Sequence, residues 1–288
     1  MTEKRKRPGR LEDFKEVMAN NMTKIGVTIV ALFVLSAMFA PWLAPYAPDE
    51  QDYSVALQRP NSKHLLGTDE YGRDVLTRIL YGTRPTLLIV LSGGILALLL
   101  GGGLGVVAGY YGGGLDMTFM RLLDVLLSFP AIILALAIIS ATGPGMKGIV
   151  IAIVASSLPQ FARVARGAVL AVKENDYIMA ARATGERTLS IIFRYILPNA
   201  MMPIIALTAL QMAGIIILAA SLSFLGLGIQ PPTAEWGIML SKGREYIWMA
   251  PYLSIFPGVA IIIVVLGFNL VGDGLRDTLD PKTKKWSG

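Results

Sequence analysis

The sequence predicts an all-α, polytopic membrane protein with six transmembrane helices. Three observations carry that reading. The chain is 54% hydrophobic and only 16% charged, where soluble domains carry about 25% charged residues. Its charges are bunched, leaving uncharged runs at 25–48, 85–115, 125–146, 148–162, 195–234 and 246–272. The runs are continuously apolar and do not alternate, so they suit helices and not the strands of a barrel. A hydrocarbon core about 30 Å thick takes roughly 20 residues of helix, and only helices or closed barrels satisfy their backbone groups in lipid. The spans expected are about 25–45, 87–109, 121–141, 147–166, 201–222 and 254–274.

Residues 1–24 form a polar tail carrying seven basic residues. The following run, 25–45, is longer than the apolar core of a signal peptide, which favours a retained span. An extramembrane segment, 46–84, ends in "GTDEYGRDVLTRILYGTRPTLL". Thr68 or Asp69 is expected to cap a helix there, with Glu70 in its first turn. Val75, Leu76, Ile79 and Leu80 make its apolar stripe, Asp74 is placed to pair with Arg78, and Pro85 is expected to open the second span. His64 is the only histidine and the chain has no cysteine. No metal site or nucleophilic triad is therefore expected, and Asp69, Glu70 and Asp74 read as capping and ion-pair groups.

The second span repeats glycine at 101, 105 and 109, a spacing that lets helix backbones approach closely in lipid. Its "GLGVVA" at 103–108 loosely fits a dinucleotide fingerprint, with Asp124 about 20 residues on. That motif must join a strand to a helix beside water, so packing is the better reading. Arg121 and Asp124 fall at the end of the third span. The fourth span contains Pro159 and needs Arg163 and Arg166 to snorkel at its end. Residues 224–253 make a second excursion, where Pro231-Pro232 forbids a continuous helix and Trp236, Tyr246, Trp248 and Tyr252 suit an interfacial belt. Ser156, Ser157, Gln160, Gln211 and Asn269 are polar residues within spans. They either line a translocation path or hydrogen-bond between helices.

With the N-terminus placed in the cytoplasm, the inner segments hold eighteen Lys and Arg and the outer ones eight. That bias puts both termini inside. The basic residues flank spans, so they suggest membrane lipid as a partner and not nucleic acid. On the inner side lies "YIMAARATGERTLSIIFRYILPN", 177–199. Asn175 or Asp176 can cap a short helix with Ala180, Ala181 and Ala183 at its middle, and Gly185 can stop it in the left-handed conformation. A second helix follows, with Leu189, Ile192, Phe193 and Ile196 as its stripe and Arg187, Ser190 and Arg194 opposite. The bare amphipathic pattern also suits a helix lying on anionic lipid.

The segment 175–199 resembles the EAA loop of ATP-binding-cassette importer permeases. That pattern is Glu-Ala-Ala, three residues, Gly, nine residues, Ile, one residue, Leu-Pro. Ala180, Ala181, Gly185, Leu197 and Pro198 match it, while Met179 stands for the Glu and Tyr195 for the Ile. "GTDEYGRDVLTRILYG" and "NLVGDGLRDTLDP" are similar to the C-type permease of dipeptide, oligopeptide and nickel importers, and the resemblance runs from about 25 to 281. It implies a type I importer permease fold in the cytoplasmic membrane. It also implies a homologous second permease, two ATPase subunits and an extracytoplasmic solute-binding protein. ATP and Mg2+ would belong to the ATPase subunits, in keeping with the absence of G-x-x-x-x-G-K-[ST] here. This chain would hold no cofactor and catalyse no reaction. In such importers the loop's short helix docks in an ATPase groove. Ala180, Ala181 and Gly185 would be the docking surface, Arg182 and Glu186 its polar rim, and Leu197 and Pro198 the anchor to the fifth span. The cargo implied is a di- or oligopeptide, with nickel chelates or another small solute as alternatives. An ion-gradient transporter is a rival class, but it calls for acids inside the spans, which are nearly free of them.

Overall fold

A computed structural model describes residues 20–279; residues 1–19 of the basic tail and 280–288 at the terminus lie outside the described residues. The described chain is helical, without strands. Five helical runs are long and apolar enough to cross a membrane, and a bent pair makes a sixth if counted as one span.

Helix α1, Asn21–Leu43, is capped by the Asn20 side chain, which accepts from the Met22 N–H at 2.9 Å. Pro41 sits inside α1 and has no N–H to give the carbonyl four residues back. That carbonyl, on Ala37, accepts instead from Arg84 Nε at 2.7 Å, and Arg84 Nη2 reaches the Met38 carbonyl at 3.2 Å.

The second span differs from its expectation. Helix α2, Val75–Ala97, passes through a π-helical turn at Leu98–Gly102 into α3, Gly103–Tyr111. The outer amphipathic stretch and the span are thus one run. Pro85 lies inside that run, and the cap is Asp74, accepting from Thr77 N at 2.8 Å. Thr68 and Asp69 serve the preceding turn, Asp69 accepting from the N–H groups of Tyr71 and Arg73. Asp74 does not pair side chain to side chain with Arg78. It faces His64 Nδ1 at 3.0 Å, while Arg78 reaches Asp49 and Asp69, both at 3.6 Å.

The expected third span, 121–141, is not one straight helix. Helix α4, Gly113–Leu127, and α5, Ala131–Thr142, meet at 90°. Pro130 lies at the corner; it lacks an N–H and drives its predecessor out of the helical region. Helix α6, Met146–Lys173, runs unbroken through the fourth span, with Pro159 inside it. Past it come α7, Asp176–Ala183, and the single turn α8, Thr188–Ser190. A π-helical stretch, Ile191–Ile196, leads into α9, Leu197–Phe224. Helix α10, Trp236–Glu245, and α11, Tyr252–Leu279, complete the chain.

The glycine repeat does pack helices. A Cβ on Gly101 would meet the Leu158 carbonyl at 2.4 Å, and one on Gly105 the Ala162 carbonyl at 2.2 Å. The run α2–α3 therefore lies directly on the backbone of α6, a contact any side chain would push apart. The main core joins α2, α6 and α9 through Ile89, Val90, Ile149, Ile153, Ile215 and Ile216. Trp236 belongs to this core and not to an interfacial belt: it is 3% exposed, its ring lies tilted 5.5 Å from that of Phe33, and it donates to the Ile79 carbonyl. Tyr252 is likewise buried, its hydroxyl donating to the Gln58 carbonyl at 2.8 Å. Trp248 stays almost fully exposed.

Candidate functional site

At one end of the bundle the chain makes an elbow at α7. Its first residue, Asp176, suits the positive end of a helix, and Asn175 occupies the cap. The helix stops in a Schellman motif. Gly185 N–H bonds the Arg182 carbonyl at 3.0 Å, Glu186 N–H bonds the Ala181 carbonyl at 3.1 Å, and Gly185 has φ +77°. The expectation that Gly185 ends the helix in the left-handed region is what the backbone shows.

One face of α7 is closed. Ile178 and Ala181 are buried with Val106 of α3, Ala165 and Val169 of α6, and Ile191, Ile192 and Ile196. Ala181 thus packs within its own chain, on the side away from Ala180 and Gly185, which are exposed. Arg182 lies 5.1 Å over the ring of Tyr110. Glu186 accepts from Ser190 Oγ at 2.7 Å, and hydrogen bonds from Ser190 and Tyr195 hold its carboxyl below the ordinary carboxylate range. Leu197 packs against the same cluster, and Pro198 lies in the first turn of α9.

The stripe expected on the second helix divides. Ile192 and Ile196 are buried, but Leu189 and Phe193 are 68% and 67% exposed. The cause is the π-helical winding of 191–196. Its i→i+5 bonds bring Ile191 and Ile196, five apart, onto one buried face, which an i, i+3, i+4, i+7 template misses. The exposed surface of the elbow therefore carries Tyr177, Met179, Ala180, Gly185, Leu189 and Phe193.

Beside the elbow, two ion pairs tie α4 to α6. Arg166 makes a bidentate bond to Asp116, both distances 2.6 Å, and Arg163 Nη2 meets Asp124 at 2.6 Å. These two arginines, expected to snorkel, are instead held by acids. Lys173 Nζ donates to the Gly109 carbonyl at 3.0 Å, closing the end of α3. No sequence periodicity links residues 39 or 50 positions apart, so these pairs were not legible beforehand.

Of the five polar residues expected on a path, the structure joins two. Gln211 Nε2 on α9 donates to Gln160 Oε1 on α6. Ser156 lies one turn before Gln160 and bonds back to the Ala152 carbonyl at 2.8 Å. Ser157 is buried. Asn269 is half-buried on α11, with no hydrogen bond to the other four. At the opposite end His64 stacks on Tyr46 at 4.9 Å and meets Asp74. Among the described residues no group of three His, Cys, Asp or Glu is placed to hold a metal ion.

Comparison with known proteins fits this architecture. Residues 101–285 match the family described as binding-protein-dependent transport system inner membrane component. Residues 14–60 match the N-terminal TM domain of oligopeptide transport permease C. The "Dipeptide transport system permease protein DppC" of Alkalihalophilus pseudofirmus is 45% identical, covering 95% of this chain and 90% of its own. The "Di/tripeptide transport system permease protein DppC" of Pseudomonas aeruginosa is 44% identical over 96% of this chain and 94% of its own. The "Glutathione transport system permease protein GsiD" of Pectobacterium atrosepticum is 45% identical over 88% and 85%. Among solved structures, an inward-facing form of the MetNI methionine ABC transporter aligns with a TM-score of 0.59 at 20% identity, over 70% of this chain and 97% of that one. That likeness speaks to the fold. A multi-pass helical bundle with an elbow at its end, matched over most of its length, makes this chain a member of the binding-protein-dependent transport system inner membrane component family.

Proposed function

We propose that this chain is the passage-forming subunit of an ATP-driven importer of di- or oligopeptides, coupled through residues 175–199 to separate ATPase subunits. The relatives above carry dipeptide, di/tripeptide and glutathione transport in their names, all of them peptide-like cargo. In this reading the elbow and both termini face the cytoplasm. The opposite end, built from 46–74 and 225–252, meets an extracytoplasmic solute-binding protein. A homologous second permease closes the passage, and the polar residues Ser156, Gln160, Gln211 and Asn269 face it, with Ser157 buried behind them. ATP and Mg2+ act on the ATPase subunits, so this chain takes part in no bond-making step.

The observation that carries the coupling role is the elbow itself. Its short helix is sealed on one face by Ile178 and Ala181 and left open on the other at Ala180 and Gly185. An ATPase groove closing on Ala180 and Gly185 meets no bulky side chain between it and the backbone. Arg182 and Glu186 flank that contact, and Leu197 and Pro198 pass movement to α9. Alternation between two packed arrangements then opens the passage to either side.

Reconstitution of the complete complex in liposomes tests this. Uptake of alanyl-alanine is expected to need ATP, the ATPase subunits and the binding protein, and to survive collapse of ion gradients. Uptake that continues without ATP but stops when the ion gradient is dissipated refutes the proposal.

A further inference from the structure

We infer that the Gln160–Gln211 amide pair is where this chain engages the backbone of a passing peptide; the inference rests on the transport reading above and adds to it the chemistry of recognition. Each glutamine amide offers two N–H donors and a carbonyl acceptor. The bond from Gln211 Nε2 to Gln160 Oε1 uses one donor of Gln211 and the carbonyl of Gln160. It leaves the amino group of Gln160 and the carbonyl of Gln211 to serve a ligand. An extended residue presents its own N–H and C=O along one edge, the pair it exchanges in antiparallel strands. A neutral donor beside a neutral acceptor matches that edge and is blind to the peptide's side chains.

The surroundings support a passage wall and not a lipid face. Gln160, Arg163 and Gly167 are exposed along α6 at i, i+3 and i+7, and Gly214 is exposed one turn beyond Gln211 on α9. A Cβ on Gly167 or Gly214 would meet none of the described residues within 4 Å, so open space lies along both helices, next to Gln211 on α9 and two turns beyond Gln160 on α6. Exposed positions elsewhere on the spans carry large apolar groups, as at Leu99, Ile262, Ile263 and Leu266. Polar groups turned to lipid are costly, and a wet path removes that cost.

The helices are also irregular beside the amide pair. Pro159, next to Gln160, takes one N–H out of the α6 ladder. The π-helical turn Leu98–Gly102 lies against it, with Gly101 in contact with the Leu158 carbonyl and Phe161. Two irregular turns in contact give α6 a place to bend beside the amide pair.

The test uses the complete reconstituted complex with its binding protein, comparing tri-alanine, whose middle residue carries both an amide N–H and an amide C=O, with the analogue N-methylated at that residue. Gln160→Met and Gln211→Met keep length and remove the amide. Gln211→Met removes the acceptor for the peptide N–H and is expected to slow tri-alanine uptake about tenfold, the scale of a lost amide hydrogen bond, while leaving the methylated analogue unchanged; Gln160→Met removes the donor to the peptide C=O, which both peptides keep, and is expected to slow both. The binding protein is the same in all arms, so its own selectivity cancels. In Gln211→Met, equal loss for both peptides marks a merely structural pair and overturns the inference, as does unchanged preference. Should these variants fail to assemble, Gly214→Cys in this cysteine-free chain supplies a second readout. Its labelling by a methanethiosulfonate reagent is expected to slow when peptide-loaded binding protein and ATP are present, and an unreactive or unprotected thiol overturns the inference. Wild-type complexes that carry neither peptide sink the transport reading itself, an outcome distinct from active variants of unaltered preference.

Discussion

Replacing Gly185 separates backbone strain from partner docking. Gly185 sits at φ +77°, where a Cβ costs an L-residue roughly 1–2 kcal/mol. No described residue lies within 4 Å of that Cβ, so Gly185→Ala adds strain without a clash. A penalty of about 1–2 kcal/mol opens the Schellman end roughly 5–30 times more often. The amides that report this are those of Gly185 and Glu186, bonded to Arg182 and Ala181. Their hydrogen exchange in detergent is expected to accelerate by that factor, with the amides of α6 unaffected. Asparagine tolerates the left-handed region, so Gly185→Asn is expected to restore protection. Co-purification of the ATPase subunits then reads the second effect. If docking needs bare backbone, Gly185→Asn loses the ATPases although its elbow is well formed. Protection in Gly185→Ala equal to wild type refutes the strain argument, and full ATPase retention in Gly185→Asn refutes the docking one.

Arg84→Leu is expected to destabilise the packing of α1 by about 1–2 kcal/mol, since it orphans the Ala37 carbonyl. Pro41→Ala returns an N–H to that carbonyl, so thermal unfolding of the double variant should show part of the loss recovered; strict additivity contradicts the assignment. A double-mutant cycle on Asp116→Asn and Arg166→Gln is expected to give a coupling of about 1 kcal/mol, the bidentate geometry being discounted for the half-exposed arginine. Absence of coupling shows the pair to be incidental to stability. Burial is the largest influence on the Glu235 carboxyl and raises it above the ordinary range, against the N–H groups of Gly237 and Ile238 that favour its charge. A carboxyl that holds its proton more tightly when folded stabilises fully below the unfolded value, and that stability is lost as pH rises through the raised one. Unfolding temperatures should therefore fall from pH 4 to neutrality by less in Glu235→Gln than in wild type, and identical profiles remove Glu235 as the source.

Continuous apolar runs made the long helices legible, because lipid demands length and hydrophobicity whatever the tertiary packing. The left-handed stop at Gly185 was legible for a local reason: a Schellman end is chosen by a few adjacent residues. The π-helical winding at 191–196 was not, and with it went the assignment of Leu189 and Phe193, since the period itself changes there. The corner at Pro130 could have been read from the proline, but the apolar run around it hid the break. Asp74 displaced Thr68 and Asp69 as the cap because the loop's own bonds claim Asp69 first. Contacts such as Arg166 with Asp116, or Trp236 with Ile79, depend on how distant helices meet, and local sequence holds no record of that.

Ile178 and Ala181 share one buried cluster with side chains from α3, α6 and the entry to α9. A tug on the elbow is thus divided among three spans at once, in the manner of a handle bolted to several rods. Helix α1, which rests mainly on α11 and α2, has no such bolt. It is expected to trail behind, so that the membrane around this chain is stirred less than its interior.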